Sequence, residues 1–399
     1  MSAVDRAYEA FTGARRADVV RLALRAVKEP RHEHLAISLD KVHHRPGIDT
    51  TAVYSLSFSA DDPAKAHPDL VLLVTTADVH AEGSFFFDSL SLRAWRHPHD
   101  PRLPALSVAE DAGRARAWLA DAGVPVPGAV ETHLLSYRPL RRAVVRVDAG
   151  ERRFYAKMVR PDRSDGLSRR HRLLDAARVG PPVVAEPEAG VILTGRVPGR
   201  SLAHALATWR EDAATLPPPD GVLALLDRLP GELMDMTRRD SWTDRADFHG
   251  AAAATALPDL AGEIRGLTRH IQRMASDAPT GPAVPAHGDF YEANVFVSGG
   301  RFTRMIDVDA AGPGLREEDL ACLLGHLAVL PDLSPSHYAR VGEVVQEWRG
   351  VFERSVPRAA LRVRVAGVIL SLVAGTSRAH ALARLDLCRA WLYRAENGD

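Results

Sequence analysis

The stretch 284–324 (VPAHGDFYEANVFVSGGRFTRMIDVDAAGPGLREEDLACLL) gathers Asp289, Asn294, Asp307 and Asp309, with His287 before them and Asp319 after. These are the residue types that phosphoryl transfer from ATP requires. The reaction needs a carboxylate to orient and deprotonate an attacking hydroxyl, and side-chain oxygens to hold Mg2+ against the phosphates. Asp289 suits the first role. Asn294 and Asp307 suit the second as hard oxygen ligands, with Asp309 as a further candidate. The spacing predicts how they meet. The β-rich runs 294–297 and 302–306 flank Ser298-Gly299-Gly300, a hairpin signal that returns Asp307 to the side of Asn294.

Such a loop needs a partner that grips phosphates. The chain writes lysine only at Lys28, Lys41, Lys65 and Lys157 and uses arginine elsewhere. Lys157 lies in the β-patterned run 153–159, paired across Asp148-Ala149-Gly150 with the run 142–147. A compact ammonium on a strand reaches phosphates in a way a guanidinium does not. By the strand period of two, Arg153, Tyr155, Lys157 and Val159 share a face.

The joint pattern HGD, Asn294, then IDVD, with EDLACLLGHL beyond, resembles the aminoglycoside phosphotransferase family of kinase-like small-molecule phosphotransferases. The resemblance spans residues 131–399, and its specific part is 284–325. It implies an α+β, protein-kinase-like two-lobe fold. An antiparallel-sheet N-lobe precedes a mostly helical C-lobe, and an extra N-terminal α+β cap module of maltokinase-like or glucosamine-kinase-like layout precedes both. The boundaries expected are 1–125 for the cap, 126–197 for the N-lobe and 198–399 for the C-lobe. The resemblance also implies site roles. Lys157 holds the α- and β-phosphates, Ser136 serves the phosphate flap, and backbone groups near Leu193 and Arg196 meet adenine. His287 steadies the catalytic loop, and Asp319 braces it or simply caps a helix. The element VPGRSL matches the family's PGxxL.

Three departures from the pattern stand out. The flap hairpin SYRPLRRAVVRV has no glycine. Tyr155 is bulkier than the small residue that kinases place near the base. The helix 168–177 offers Arg169, Arg170 and His171 where a glutamate partner for Lys157 is expected, leaving Asp165, or after it Asp175, as the substitute.

Composition sets the outer limits. A chain of 399 residues exceeds one core and is expected to form two or three packed units. The formal net charge of +0 gives no nucleic-acid footprint. No run is long enough for a membrane span or a signal peptide, and Cys322 and Cys388 read as reduced buried thiols. A cytoplasmic protein is expected. His32, His34, His43, His44, His97 and His99 lack the tight spacing of a metal site. Residues 331–399 carry 10 Arg against 7 Asp and Glu, an excess that disfavours a polycationic acceptor; Arg362 and Arg364 read as solvated or paired within helices.

The function expected is an ATP- and Mg2+-dependent O-phosphotransferase for a sugar, aminosugar or aminoglycoside hydroxyl. The alternative is a pseudokinase that binds nucleotide or a protein partner. A protein kinase lacks support, because no DFG-to-APE segment is present. Sequence leaves the oligomeric state open.

Overall fold

The computed structural model describes residues 2–30, 36–45, 47–58, 70–209 and 216–398, and the statements below concern these. His32, His34 and Lys65 lie outside them. The chain divides into two units, one of residues 1–168 with 183–196, the other of 169–182 with 197–399. Helix makes up 47% and strand 24%, so the class is α+β.

The first unit opens with α1 (Ala3–Thr12) and α2 (Arg16–Ala26), separated at Gly13. A sheet of β1 (Ala36–Arg45), β2 (Asp49–Ser57), β3 (Leu70–Thr75), β4 (Gly83–Phe87) and β5 (Leu90–Arg96) follows, in the order β1-β2-β3-β5-β4. Strands β4 and β5 form a hairpin, in which Asp88 takes a left-handed turn conformation with φ 50°. Alternation along β3 sends Leu72 and Val74 to the core under α1 and α2, and Leu73 to the opposite face with Trp95.

Helices α3 (Leu106–Ala109) and α4 (Ala112–Asp121) pack on a second sheet, with Leu106, Trp118 and Leu119 against Val145, Phe154, Ala156 and Met158. That sheet runs β6 (Val130–Arg138), β7 (Arg142–Ala149), β8 (Arg152–Val159), β10 (Val191–Gly195) and β9 (Val183–Ala185) in space. The β6–β7 turn is anchored from outside its own sheet. Leu140 at its tip is buried with Leu73 and Trp95, although its φ is 63°. A left-handed non-glycine residue costs about 1–3 kcal/mol. Burying a leucine contributes about 1.5–3 kcal/mol in return. The Leu140 N–H also donates to the buried Asp100 carboxylate at 2.7 Å, which makes the turn favourable on balance.

Helix α5 (Ser164–Ala176) leads from the first unit into the second. The second unit is mostly helical: α6 (Leu202–Ala207), α7 (Asp220–Leu226), α8 (Ala246–Ala256) and α9 (Ala261–Asp277) come before the loop region, and α10 (Arg316–Leu333), α11 (Pro335–Tyr338), α12 (Val341–Ser355), α13 (Arg358–Ser371) and α14 (Arg378–Asn397) after it. Helix α7 ends at Leu226, and Pro230, which lacks an N–H, starts a 3-10 turn soon after it. Short strands β11 (Arg200–Ser201), β13 (Val295–Ser298) and β14 (Arg301–Met305) form one sheet, and β12 (Ala283–Ala286) pairs with β15 (Gly312–Leu315). Gly299 and Gly300, with φ of 56° and 70°, make the expected hairpin turn.

Both cysteines are free and buried, as expected. Arg362 and Arg364 are buried rather than solvated. Arg362 pairs bidentately with Glu353 at 2.7 and 3.0 Å, and Arg364 donates to the Ala360 carbonyl at 3.1 Å.

Helix α10 lies close against α13 because Gly325 has no side chain. A Cβ there would stand 2.7 Å from Val368 Cγ1 and 2.9 Å from its Cβ. Gly325→Val is therefore expected to destabilise the chain by about 1–3 kcal/mol, an overpacking penalty. Urea unfolding with a lowered midpoint and unchanged slope would register it; an unchanged midpoint would count against this packing.

Candidate active site

In the second unit, three backbone segments are tied into one loop cluster. The Asp319 carboxylate accepts the His287 N–H and the Gly288 N–H, both at 2.8 Å. Asp319 is 1% exposed and lies inside the first turn of α10, so the helix-cap expectation for it is corrected. The cap position is Leu315, whose N–H donates to Glu318. Gly288 has φ 77°, and a Cβ on it would meet the Ala310 carbonyl at 2.9 Å, so this step needs glycine on both counts.

His287 accepts the Asp289 N–H at Nδ1 (3.3 Å), while its Nε2 faces the Ile306 carbonyl at 3.0 Å. One tautomer satisfies both bonds, a neutral ring with its proton on Nε2. Both ring nitrogens are thereby used. Asn294 is buried; its Nδ2 donates to the Asp289 carbonyl at 3.0 Å, so its Oδ1 is the group left for a cation. The Ile306 N–H donates to the Asn294 carbonyl at 2.8 Å, and Val295 pairs with Met305. Asn294 and Asp307 thus flank the closed end of one ladder.

Asp307 adopts φ 55°, ψ 48°, a conformation that costs a non-glycine residue about 1–3 kcal/mol and persists only where surrounding bonds impose it. Asp309 lies 3.9 Å from His171 Nε2, and Arg170 on the same helix donates to the Ala311 carbonyl at 2.7 Å. Among the described residues, no three His, Cys, Asp or Glu side chains group to hold a metal by themselves. An asparagine oxygen with one or two carboxylates suits Mg2+, which takes its other ligands from phosphates and water.

In the first unit, Lys157 is buried on β8. Phe154, Ala156 and Met158 turn into the core, so Tyr155 and Lys157 occupy the other face. Ser136 pairs with Val144, and Val144 with Lys157, in one row across β6, β7 and β8. Leu193 puts its side chain in the core, and the β9 pairing ends at Thr194. The backbone of Gly195 and Arg196 lies beyond that pairing, with the Arg196 N–H donating to the Arg153 carbonyl at 3.2 Å. Asp165 is exposed in the first turn of α5 and makes no ion pair among the described residues, Lys157 included. Asp175 faces Arg304 at 3.5 Å.

Sequence reasoning passed over Tyr291, Glu292 and His326. Tyr291 stacks on His326 with ring centroids 4.5 Å apart. Burial pushes His326 down to about 4, with Arg384 adding to the effect. Glu292 Oε2 is buried without a hydrogen-bond partner, and burial raises the carboxyl to about 7. Its position three residues after Asp289 was the available signal.

The family model described as the phosphotransferase enzyme family matches residues 95–350. The chain belongs to that family, and its class is that of a small-molecule phosphotransferase. Solved structures similar to it include a thermostable mutant of aminoglycoside phosphotransferase APH(4)-Ia in ternary complex with AMP-PNP and hygromycin B. That structure is 16% identical, with 71% of this chain and 99% of that one covered, at TM-score 0.46. A choline/ethanolamine kinase family protein from Mesorhizobium loti is 17% identical over 70% of this chain and 97% of its own, at TM-score 0.44. Plasmodium vivax ethanolamine kinase is 11% identical over 67% and 84%, at TM-score 0.42. No curated protein matches the chain by sequence.

Glu292 and Asp319, raised by burial to about 7 and about 6, bind protons in the folded chain that the unfolded chain releases near pH 4. Stability from such groups is fully present below the unfolded value and is lost as pH rises through the folded one. For Glu292 this loss amounts to about 3 kcal/mol between pH 4.5 and 8. Glu292→Gln is expected to flatten that part of the slope in urea unfolding across the range; an unchanged slope would refute the assignment.

Proposed function

We propose that the chain is an ATP- and Mg2+-dependent O-phosphotransferase acting on a hydroxyl of a small sugar-like or aminoglycoside-like molecule. The observation that carries this reading is the loop cluster. It holds Asp289, Asn294 and Asp307 on segments bonded to one another, with the strained Asp307 backbone at the strand end. Asp289 would orient the acceptor hydroxyl and take its proton as the phosphoryl group arrives. The neutral His287, with both nitrogens occupied, would keep Asp289 in place. Asn294 Oδ1 and Asp307 would hold Mg2+, with Asp309 beside them. Bound there, the ion would draw the phosphates into line and offset their charge. Lys157 and the Ser136 row would receive the α- and β-phosphates, and the backbone at Gly195 and Arg196 the base. Residues 1–125, 126–197 and 198–399 would serve as cap, N-lobe and C-lobe of a cytoplasmic enzyme. Among the described residues, no helix is long and apolar enough to cross a membrane.

The test is ADP release from Mg-ATP across aminoglycosides, aminosugars, disaccharides and amino alcohols. Acceptor-dependent turnover is expected, falling about 10²–10⁴-fold in Asp289→Asn, the range for losing a positioned general base. Turnover that Asp289→Asn leaves intact would overturn the assignment. Absence of Mg2+-dependent ATP binding by calorimetry would overturn the whole reading. ATP binding with silence across a wide acceptor panel would favour the pseudokinase.

A further inference from the structure

The first unit contains a cavity of about 240 Å³ that the proposed chemistry does not use, lined by the β1–β2 hairpin and the β6–β7 turn. Lys41, Arg45, Arg138 and Arg141 line it with His43, and Asp49 is the single carboxylate among the lining residues. Asp49 is already engaged by Arg45, whose Nε donates to it at 2.7 Å and whose Nη2 binds its other oxygen. Lys41, Arg138 and Arg141 add three further positive charges to a partly enclosed space.

Their mutual field is visible on their neighbours. Burial first, and then the charges of Lys41, Arg138 and Arg141, pushes His43 down to about 4. Arg141 is itself pushed below its ordinary value by burial and by Arg45, Arg138 and Arg142, with Asp49 opposing. Repulsion of this kind would splay a mobile turn into water. This turn is not free to splay, because Asp100 holds it. That buried carboxylate accepts Tyr137 Oη and the Leu140 N–H, both at 2.7 Å, and the N–H groups of Arg102 and Leu103 at 2.8 and 3.1 Å. The Arg141 N–H closes the turn onto the Arg138 carbonyl at 3.0 Å. The backbone carrying the two arginines is therefore positioned in advance, and a ligand would not have to supply that ordering.

We propose that this cavity binds a phosphate-bearing anion, gripped by Lys41, Arg138 and Arg141 with His43 as an added hydrogen-bond donor. Guanidinium forks match phosphate oxygens in pairs. At about 30 Å³ per water the cavity has the volume of roughly eight waters, enough for a mono- or diphosphate group. Arg138 and Arg141 flank the tip of the hairpin that carries Ser136, so an occupant would stiffen that hairpin. Its lining residues are none of those assigned to catalysis, and its existence does not depend on the proposed reaction.

The test is calorimetric titration of the full chain with inorganic pyrophosphate, and separately with inorganic phosphate, without nucleotide or Mg2+. Lys41 and Arg141 are exposed, so Lys41→Ala and Lys41→Ala/Arg141→Ala should fold, as circular dichroism would check. Saturable binding is expected in the parent chain. It should weaken about tenfold in Lys41→Ala and further in the double variant, tenfold corresponding to about 1.4 kcal/mol. Arg138→Lys keeps the charge without the fork and should fall between. Pyrophosphate binding well above phosphate would identify a polyphosphate group, and equal binding a single phosphate. The proposal is overturned if the parent shows no saturable binding tighter than about 1 mM. It is equally overturned if Lys41→Ala/Arg141→Ala leaves binding unchanged.

Discussion

A single buried carboxylate organises the loop on which the proposed chemistry rests. Asp319 accepts two successive amides, those of His287 and Gly288, from inside the first turn of α10. Burial alone would neutralise it, and the carboxyl is indeed raised to about 6; the two amides pull the other way and keep it ionised near neutral pH. The geometry downstream follows from this contact. With 287 and 288 held, the Asp289 N–H meets the His287 ring, the ring reaches the Ile306 carbonyl, and Ile306 in turn bonds to Asn294. The chain then enters Asp307 in a left-handed conformation, which aspartate tolerates better than most residues and which these bonds hold in place. Gly288 is part of the same constraint, because any Cβ would collide with the Ala310 carbonyl.

The first unit solves a similar problem in a similar way. Its β6–β7 turn has no glycine to relax the tip, and Leu140 is forced to positive φ. Asp100, from the segment after β5, supplies a buried acceptor for the turn's backbone and for Tyr137. Burial also raises Asp100 above the usual carboxylate range, against the pull of its four donors. In each unit, a carboxylate distant in sequence replaces local backbone preference as the reason a loop has its shape. Rigidity at both places is then a property of long-range charge–dipole contacts, sensitive to the removal of one oxygen pair.

This explains what the sequence made legible. The hairpin at Gly299-Gly300, the strand bearing Lys157 and the assembly of Asn294 with Asp307 depend on local signals, namely turn glycines and alternation. The division of 84–95 into two strands depended on an aspartate taking a left-handed turn, for which residue type is a weak guide. The Asp100 clamp and the burial of Leu140 join segments 40 positions apart, and no periodicity records such a pairing. Asp165 was chosen as a partner for Lys157 by elimination, and it points to solvent because the first turn of α5 offers it a favourable helix terminus instead. Glu292 went unnoticed because one glutamate in a loop is ordinary until its burial is known.

Burial also changes how the charge of the last helices bears on the acceptor. The arginine excess over 331–399 looked like an argument against a cationic substrate. Yet Arg362 is neutralised by Glu353, Arg340 by Glu343, and Arg389 by Asp386 and Glu263, while Arg378 is tied to Asp259. Partners for two of these arginines come from α9 and the turn before it, outside the segment counted. Net charge of a segment is therefore a poor measure of the field near Asp289. Acceptor choice in the proposed reaction therefore gains no argument from arginines already paired in the helices.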